Sequence, residues 1–171
     1  MISCMSWLVP AAGPVRDRLA GAIARLAAEH GAPVFAPHIT INASVDAEPD
    51  RAARVLERVV AGVPPFEVAL TGFGHEPEFF RSLYLRAEPD EILTALHEAG
   101  QRAWDLHGPP YRPHLSLLYT RHVPEERKAA IADGLGLAPP VKIRVDAAEV
   151  WADFRDEVTR WRRVARVPLT G

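Results

Sequence analysis

Two short runs in this chain have the residue types and spacing to do chemistry: Pro37-His38-Ile39-Thr40-Ile41 and Pro113-His114-Leu115-Ser116-Leu117. In each, a histidine and a hydroxyl residue alternate with aliphatics. Side chains two apart on a strand share a face, so His38 and Thr40 project together while Ile39 and Ile41 enter a core; His114 and Ser116 repeat the arrangement. Paired imidazoles can divide proton transfer, the neutral one taking a proton from water and the protonated one giving a proton to a leaving oxygen. In-line displacement at phosphorus needs those groups on opposite sides of the phosphate, and hydroxyls can donate to its non-bridging oxygens. A lone histidine near a strand start more often serves structure, and threonine favours strands in any case. The pairing is what gives weight to the catalytic reading.

The flanks repeat as well. His30-Gly31, the aromatic Phe35 and then Pro37-His38 are matched by His107-Gly108, Tyr111 and Pro113-His114. This is the pattern of an internal duplication, with the histidines in pseudo-equivalent places and the halves falling at roughly 1–80 and 81–171.

Periodicity and punctuation predict the elements that position the motifs. Ser3 to Val9 reads as a strand, and Leu19, Ile23, Leu26 and Ala27 as one face of a helix ended by Gly31, with His30 at its negative end. Glu48-Pro49-Asp50 opens a helix carrying Val55, Leu56, Val59 and Val60, stopped by Gly62 and Pro64-Pro65. Phe66 to Gly74 and Phe79 to Ala87 alternate as strands, the second including Phe80 and Arg81. Glu88-Pro89-Asp90 opens a helix with Ile92, Leu96, Ala99, Ala103 and Leu106 on one face, ending at Gly108. The His114 strand runs through Tyr119, a short helix follows Pro124, and Val141 to Phe154 with Arg160 to Val167 closes the chain as a hairpin. The expected fold is α+β: one internally duplicated domain over 1–171, built as two antiparallel lobes of strands flanked by helices.

Composition narrows the function. A chain of 171 residues, 48% of them hydrophobic, builds one well-buried domain. Its net charge of −2 argues against a protein that grips long nucleic acid through phosphates, while leaving room for a small anionic ligand. Cys4 is the single cysteine, which excludes an internal disulfide and a cysteine-based zinc site and suits a reducing cytoplasm. Neither histidine motif has a third ligand at metal-binding spacing, so no metal or other cofactor is expected. There is no glycine-rich phosphate loop, no basic signal-peptide start and no run of membrane-spanning length. The expectation is a cytoplasmic monomer with no membrane partner. Trp7, Phe80, Tyr84 and Tyr119 suit a core, but aromatics beside the histidines also offer a nucleotide a stacking surface. Arg81 and Arg112 read as solvated charges within reach of a substrate phosphate. His75, His97 and His122 fall in turns or on a helix.

The paired His-x-Thr/Ser-x motifs, in order and half a chain apart, resemble the two-histidine phosphoesterase superfamily. Within it, Pro110-Tyr111-Arg112-Pro113-His114-Leu115-Ser116-Leu117-Leu118-Tyr119 and Phe35-Ala36-Pro37-His38-Ile39-Thr40-Ile41 are similar to the motifs of the plant and yeast cyclic phosphodiesterases. The likeness extends to Ser6-Trp7-Leu8-Val9-Pro10, to Phe79 to Leu85 and to the closing hairpin. What it implies is a bilobal α+β fold, two antiparallel sheets flanked by helices with the active-site cleft between the lobes, and metal-independent hydrolysis of cyclic phosphodiesters, with His38 and His114 catalytic, Thr40 and Ser116 on the phosphate, Tyr119 beside the substrate, and Trp7 and Phe80 near the base. Nucleoside 2′,3′-cyclic phosphates, opened to the 2′-phosphate, and ADP-ribose 1″,2″-cyclic phosphate are the implied substrates. The plant enzyme's cysteines are absent here, and Arg81 stands where the family leads one to expect glutamine. Two other readings stay open: processing of RNA ends, which the lack of basic excess disfavours, and a non-catalytic nucleotide-binding module.

Overall fold

The proline and glycine punctuation cuts the chain into four helices and eight strands in the computed structural model, which describes residues 1–42, 44–153 and 157–171. Strand β1 (Ile2–Pro10) leads to helix α1 (Pro14–His30), which buries Leu19, Ala22, Ile23, Leu26 and Ala27 and ends at Gly31 with φ 60°. That left-handed turn favours glycine, and it satisfies a helix-end carbonyl by a backbone bond to Ala27. Strands β2 (Ile39–Thr40) and β3 (Val45–Ala47) follow, then helix α2 (Pro49–Val59) and strand β4 (Phe66–Gly74). Strand β5 (Leu83–Ala87), helix α3 (Glu91–Trp104), strand β6 (His114–Leu118), helix α4 (Glu125–Asp133) and the hairpin of β7 (Val141–Ala152) and β8 (Arg162–Pro168) complete the chain.

Several boundaries differ from the sequence reading. The first histidine strand is two residues long: Pro37 has no N–H to give to a ladder, and His38 lies just ahead of the pairing. Phe79–Arg81 is a 3-10 turn, so Phe80 and Arg81 precede the strand expected to hold them. Helix α3 stops at Trp104, where Asp105 turns left-handed (φ 50°), so His107 and Gly108 lie beyond the helix. The Asp90 side chain caps α3 by accepting from the Leu93 N–H at 2.7 Å, and the buried stripe is Leu93, Leu96 and Gly100; Ile92 and Ala103 face solvent. Of the expected closing strand, Phe154 lies outside the described residues.

All eight strands are hydrogen-bonded into one antiparallel sheet, in the order β3-β1-β2-β6-β5-β4-β7-β8, with β1 also paired to β7. Two separate sheets were expected. The difference comes from β7: its twelve residues pair with β4 along one stretch and with β8 along the next, while most of its length also pairs with β1. The core sits against this sheet, with Ile39, Leu115 and Leu117 fully buried at its centre. Antiparallel pairing sets Ile39 opposite Leu115, which brings the two histidine motifs side by side. No helix among the described residues is long and apolar enough to cross a membrane.

Candidate active site

The single pair Ile39–Leu115 organises the site. One step to either side along antiparallel strands sets His38 across from Ser116, and Thr40 across from His114. The imidazoles and hydroxyls therefore alternate around a local twofold, each histidine facing the other motif's hydroxyl position.

His38 is buried with its ring flat against Trp7, the centroids 3.5 Å apart and the planes 9° from parallel. Its Nδ1 lies 2.7 Å from the Ala36 carbonyl. A carbonyl only accepts, so Nδ1 carries the proton and Nε2 keeps the basic lone pair. Burial pushes this imidazole down to about 3, against the opposing pull of the Ala36 carbonyl, and proximity to His114 adds to the depression. His38 is a neutral base across the physiological range.

His114, half-buried, repeats the device: its Nδ1 is 3.0 Å from the carbonyl of Arg112, again two residues back. Arg81 Nη1 is also 3.1 Å from that nitrogen. Both are not hydrogen bonds at once, because the guanidinium only donates and the carbonyl only accepts. The carbonyl contact, shared with His38, fixes Nδ1–H and leaves Nε2 for chemistry; Arg81 then acts on the ring as a nearby charge. Burial holds His114 down at about 4, the Arg112 carbonyl opposing and Arg81 reinforcing.

The hydroxyls differ. Thr40 is half-buried, and its Oγ1 donates to the Met5 sulfur at 3.8 Å, a weak acceptor that a phosphate oxygen displaces easily. Ser116 is buried and donates to the Phe80 carbonyl at 3.0 Å, with Tyr119 beside it. Tyr119 stacks on Phe35 at 3.8 Å and is buried, which pushes its phenol well above the usual range. It backs Ser116. Trp7, 0% exposed, supports His38 and has no face open to a base. Phe80 is the member of the expected aromatic set with an exposed ring, at 37%, leaning on Trp161.

One residue the sequence reading missed is central. The Glu76 carboxylate receives two hydrogen bonds from Arg81 at 3.0 Å, one from the Tyr84 hydroxyl at 2.9 Å, and one from Arg112. Burial pushes the Glu76 carboxyl up, but the donors together outweigh it and hold it at about 2. Arg81 lies over the Tyr84 ring at 4.7 Å, and Tyr84 meets His114 edge-on at 5.1 Å. Beneath them the buried Lys128 of α4 donates to the Glu76 carbonyl at 2.7 Å and to Glu125. No periodicity flags Glu76, whose partners lie 5, 8 and 36 residues away. Glu76→Gln is expected to cost about 1–3 kcal/mol by leaving Arg81 with a weaker acceptor. Urea unfolding checks it, and an unchanged midpoint would show that the carboxylate holds nothing.

A cleft of about 620 Å³ opens beside Thr40, Arg81 and His114 and runs along α3 to the 106–112 segment. Its wall is tied to the site: the Tyr111 hydroxyl donates to the Thr40 carbonyl at 2.9 Å, and His97 Nδ1 donates to the Ile41 carbonyl at 2.6 Å. Gly100 lets α3 approach so closely, since a Cβ there would fall 1.8 Å from Asn42 Oδ1.

Comparison with known proteins agrees with this architecture. The Arabidopsis thaliana protein named cyclic phosphodiesterase is 28% identical over 106 residues, a match covering 61% of this chain and 59% of that protein. This chain thus aligns with about three fifths of its relative's length. Among solved structures, Escherichia coli LigT complexed with 3′-AMP aligns over 99% of both chains with a TM-score of 0.58 at 18% identity. TT0787 of Thermus thermophilus aligns over 98% of both with a TM-score of 0.62 at 17% identity. These likenesses share the α+β fold. The family profile described as the 2′-5′ RNA ligase superfamily matches residues 15–157, a span that includes both histidine motifs, and the chain belongs to that superfamily of phosphoesterases.

Proposed function

We propose that this chain is a cyclic phosphodiesterase that works without a metal. It opens nucleoside 2′,3′-cyclic phosphates to the nucleoside 2′-phosphate, with ADP-ribose 1″,2″-cyclic phosphate as a second substrate of the same chemistry. The observation that carries this reading is the matched pair of histidines, each with Nδ1 bound to the carbonyl two residues back, set diagonally about the Ile39–Leu115 pair. The same match supports a chain built of two pseudo-twofold halves.

In this mechanism His38 is the base. Its Nε2 takes a proton from water as the water oxygen bonds to phosphorus, and the bond from phosphorus to the ribose 3′ oxygen breaks. His114, protonated at Nε2, gives that oxygen its proton. His38 is assigned the basic role because burial against Trp7 keeps it the more firmly neutral. Thr40 donates to a non-bridging oxygen, and Ser116 turns its hydroxyl hydrogen from the Phe80 carbonyl to the other one when the phosphate binds. Arg81 turns its Nη1 from His114 to the phosphate, which relieves the charge that disfavours protonation of His114. Phe80 supplies the exposed face for the base.

Turnover of a panel of 2′,3′-cyclic mononucleotides in EDTA, with the product read by phosphorus NMR, tests the proposal. The expected product is the 2′-phosphate at a rate unaffected by chelation. A wild type inert on the whole panel overturns the assignment.

A further inference from the structure

Glu76 takes no part in the mechanism above, yet its partners surround the histidine that must give up a proton. Its two oxygens take the Nε and Nη2 edge of Arg81, each at 3.0 Å. That leaves Nη1 as the end of the guanidinium that meets His114, 3.1 Å from Nδ1. The Tyr84 hydroxyl donates to the same carboxylate at 2.9 Å and carries its ring edge-on to the imidazole. Arg112, whose carbonyl holds the His114 Nδ1–H, reaches the carboxylate with its own guanidinium. The backbone of Glu76 is fixed in turn by the buried Lys128, which donates to its carbonyl at 2.7 Å and is itself paired with Glu125.

We propose that Glu76 is a positioning residue for the acid step, holding Arg81 with Nη1 against His114 and supplying the negative charge that lets the imidazole carry its proton beside a guanidinium. The inference rests on the phosphodiesterase reading above. A carboxylate bound at two points fixes both the direction and the plane of an arginine, so the guanidinium stays in the site while Nη1 changes partner from ring to phosphate. Arg81 and Glu76 are 17% and 21% exposed, so solvent ions screen their charges little. Burial is the first cause that holds His114 down, and the Arg112 carbonyl opposes it. Among the charges, Arg81 and Arg112 push the same way as burial, and Glu76 pulls back.

The other groups around the ring do not take over that charge. Arg86, across from His114 on β5, bonds the Phe73 carbonyl, and Thr40 and Ser116 are uncharged hydroxyls. His38 is neutral. In the adjoining cleft, His97 and Tyr111 are engaged with the Ile41 and Thr40 carbonyls, and His107 lies exposed beside Asp105. Glu78, the second acid of that cleft, is also exposed, where solvent screens it. His75 and Glu125 pair with each other at 2.8 Å beyond Lys128.

Two readouts test the inference: the pH limb of kcat/KM for a 2′,3′-cyclic mononucleotide, and the titration of the His114 Cε1–H followed by NMR in the free protein. Glu76→Gln is expected to lower both by about one pH unit, as loss of an adjoining opposite charge does, with a roughly tenfold fall in kcat/KM above the limb. Glu76→Asp keeps the charge and should leave both close to their wild-type positions. Glu149 serves as the comparison. This buried carboxylate also binds two arginines, Arg163 and Arg166, but it supports His38 from the far side of Trp151 and Trp7. Glu149→Gln should lower stability and leave the His114 titration in place. A limb that stays put in Glu76→Gln, or that moves equally in all three variants, overturns the proposal and leaves Glu76 a structural anchor. Should Glu76→Gln not fold, Arg81→Gln and the double variant Arg81→Gln/Glu76→Gln read the same charge without an orphaned guanidinium: the double variant titrates lower than the single one, or the proposal fails. If the wild type turns over no cyclic phosphate, the phosphodiesterase reading fails, and the NMR titration still decides whether Glu76 governs His114.

Discussion

His38→Ala and His114→Ala are each expected to lower kcat by about 10²–10⁴-fold, the loss that follows removal of a general base or acid. Because the two act as a unit, the double variant should be little worse than either single one. Their stabilities should diverge from their activities, since His114 is half-buried and contributes less packing than His38. The pH dependence separates the roles. Burial puts His38 at about 3 and His114 at about 4, so above about pH 5 both are neutral in the free protein. The acid must carry a proton, so kcat/KM should fall with rising pH along a limb that begins below 6.5, the ordinary histidine value. Bound phosphate favours the protonated form of His114, so the limb in kcat should sit at higher pH than that in kcat/KM. A limb in kcat/KM at or above pH 6.5 would contradict the burial argument, and full activity in either alanine variant would sink the paired-histidine mechanism.

Trp7→Ala is expected to be the most destabilising single change, at about 3–5 kcal/mol, the usual range for truncating a fully buried tryptophan. Trp7 is 0% exposed and packs against the rings of His38 at 3.5 Å, Trp151 at 4.7 Å and Trp161 at 5.7 Å. Trp151 is anchored in turn, its Nε1 donating to Glu149 at 2.8 Å, a buried carboxylate that also binds Arg163 and Arg166. Removing the indole opens a cavity and frees the His38 ring to leave its stacked orientation. Trp7→Phe keeps a face against the imidazole and should recover most activity with a smaller loss of stability. Urea unfolding of both variants, with kcat measured well below their melting temperatures, checks this. A Trp7→Ala midpoint within about 1 kcal/mol of wild type would mean the pocket collapses without cost, against its dense ring packing.

The site was legible in the sequence to the extent that local pattern encodes it. Alternation of His38 with Thr40 and of His114 with Ser116 specifies a shared face, because side-chain direction on a strand follows from a period of two. The prolines and glycines marked most element ends, since a missing N–H or a positive φ acts within a residue or two. Helix α1 and strand β4 accordingly follow their predicted patterns closely. Local pattern misled where distant groups set the geometry. The chain around Phe80 and Arg81 alternates like a strand, yet Glu76, whose backbone N–H bonds the Arg81 carbonyl at 3.0 Å, closes it into a turn.

The residue types, their spacing and their repetition thus determined that two imidazoles and two hydroxyls would be presented from paired segments, in a chain of mixed helix and strand with a single cysteine. Tertiary structure alone decided how they meet. The register Ile39 to Leu115, the single continuous sheet, and the Glu76 hub that joins Arg81, Tyr84 and Arg112 around His114 all join residues far apart in the chain. So do the roles of the aromatics: Trp7 and Tyr119 were turned inward as supports while Phe80 stayed open. The physical reason is one of range. Side-chain direction and backbone propensity are properties of neighbours in sequence, whereas burial, stacking and the balance of charge around a histidine depend on which distant segments the whole core brings into contact.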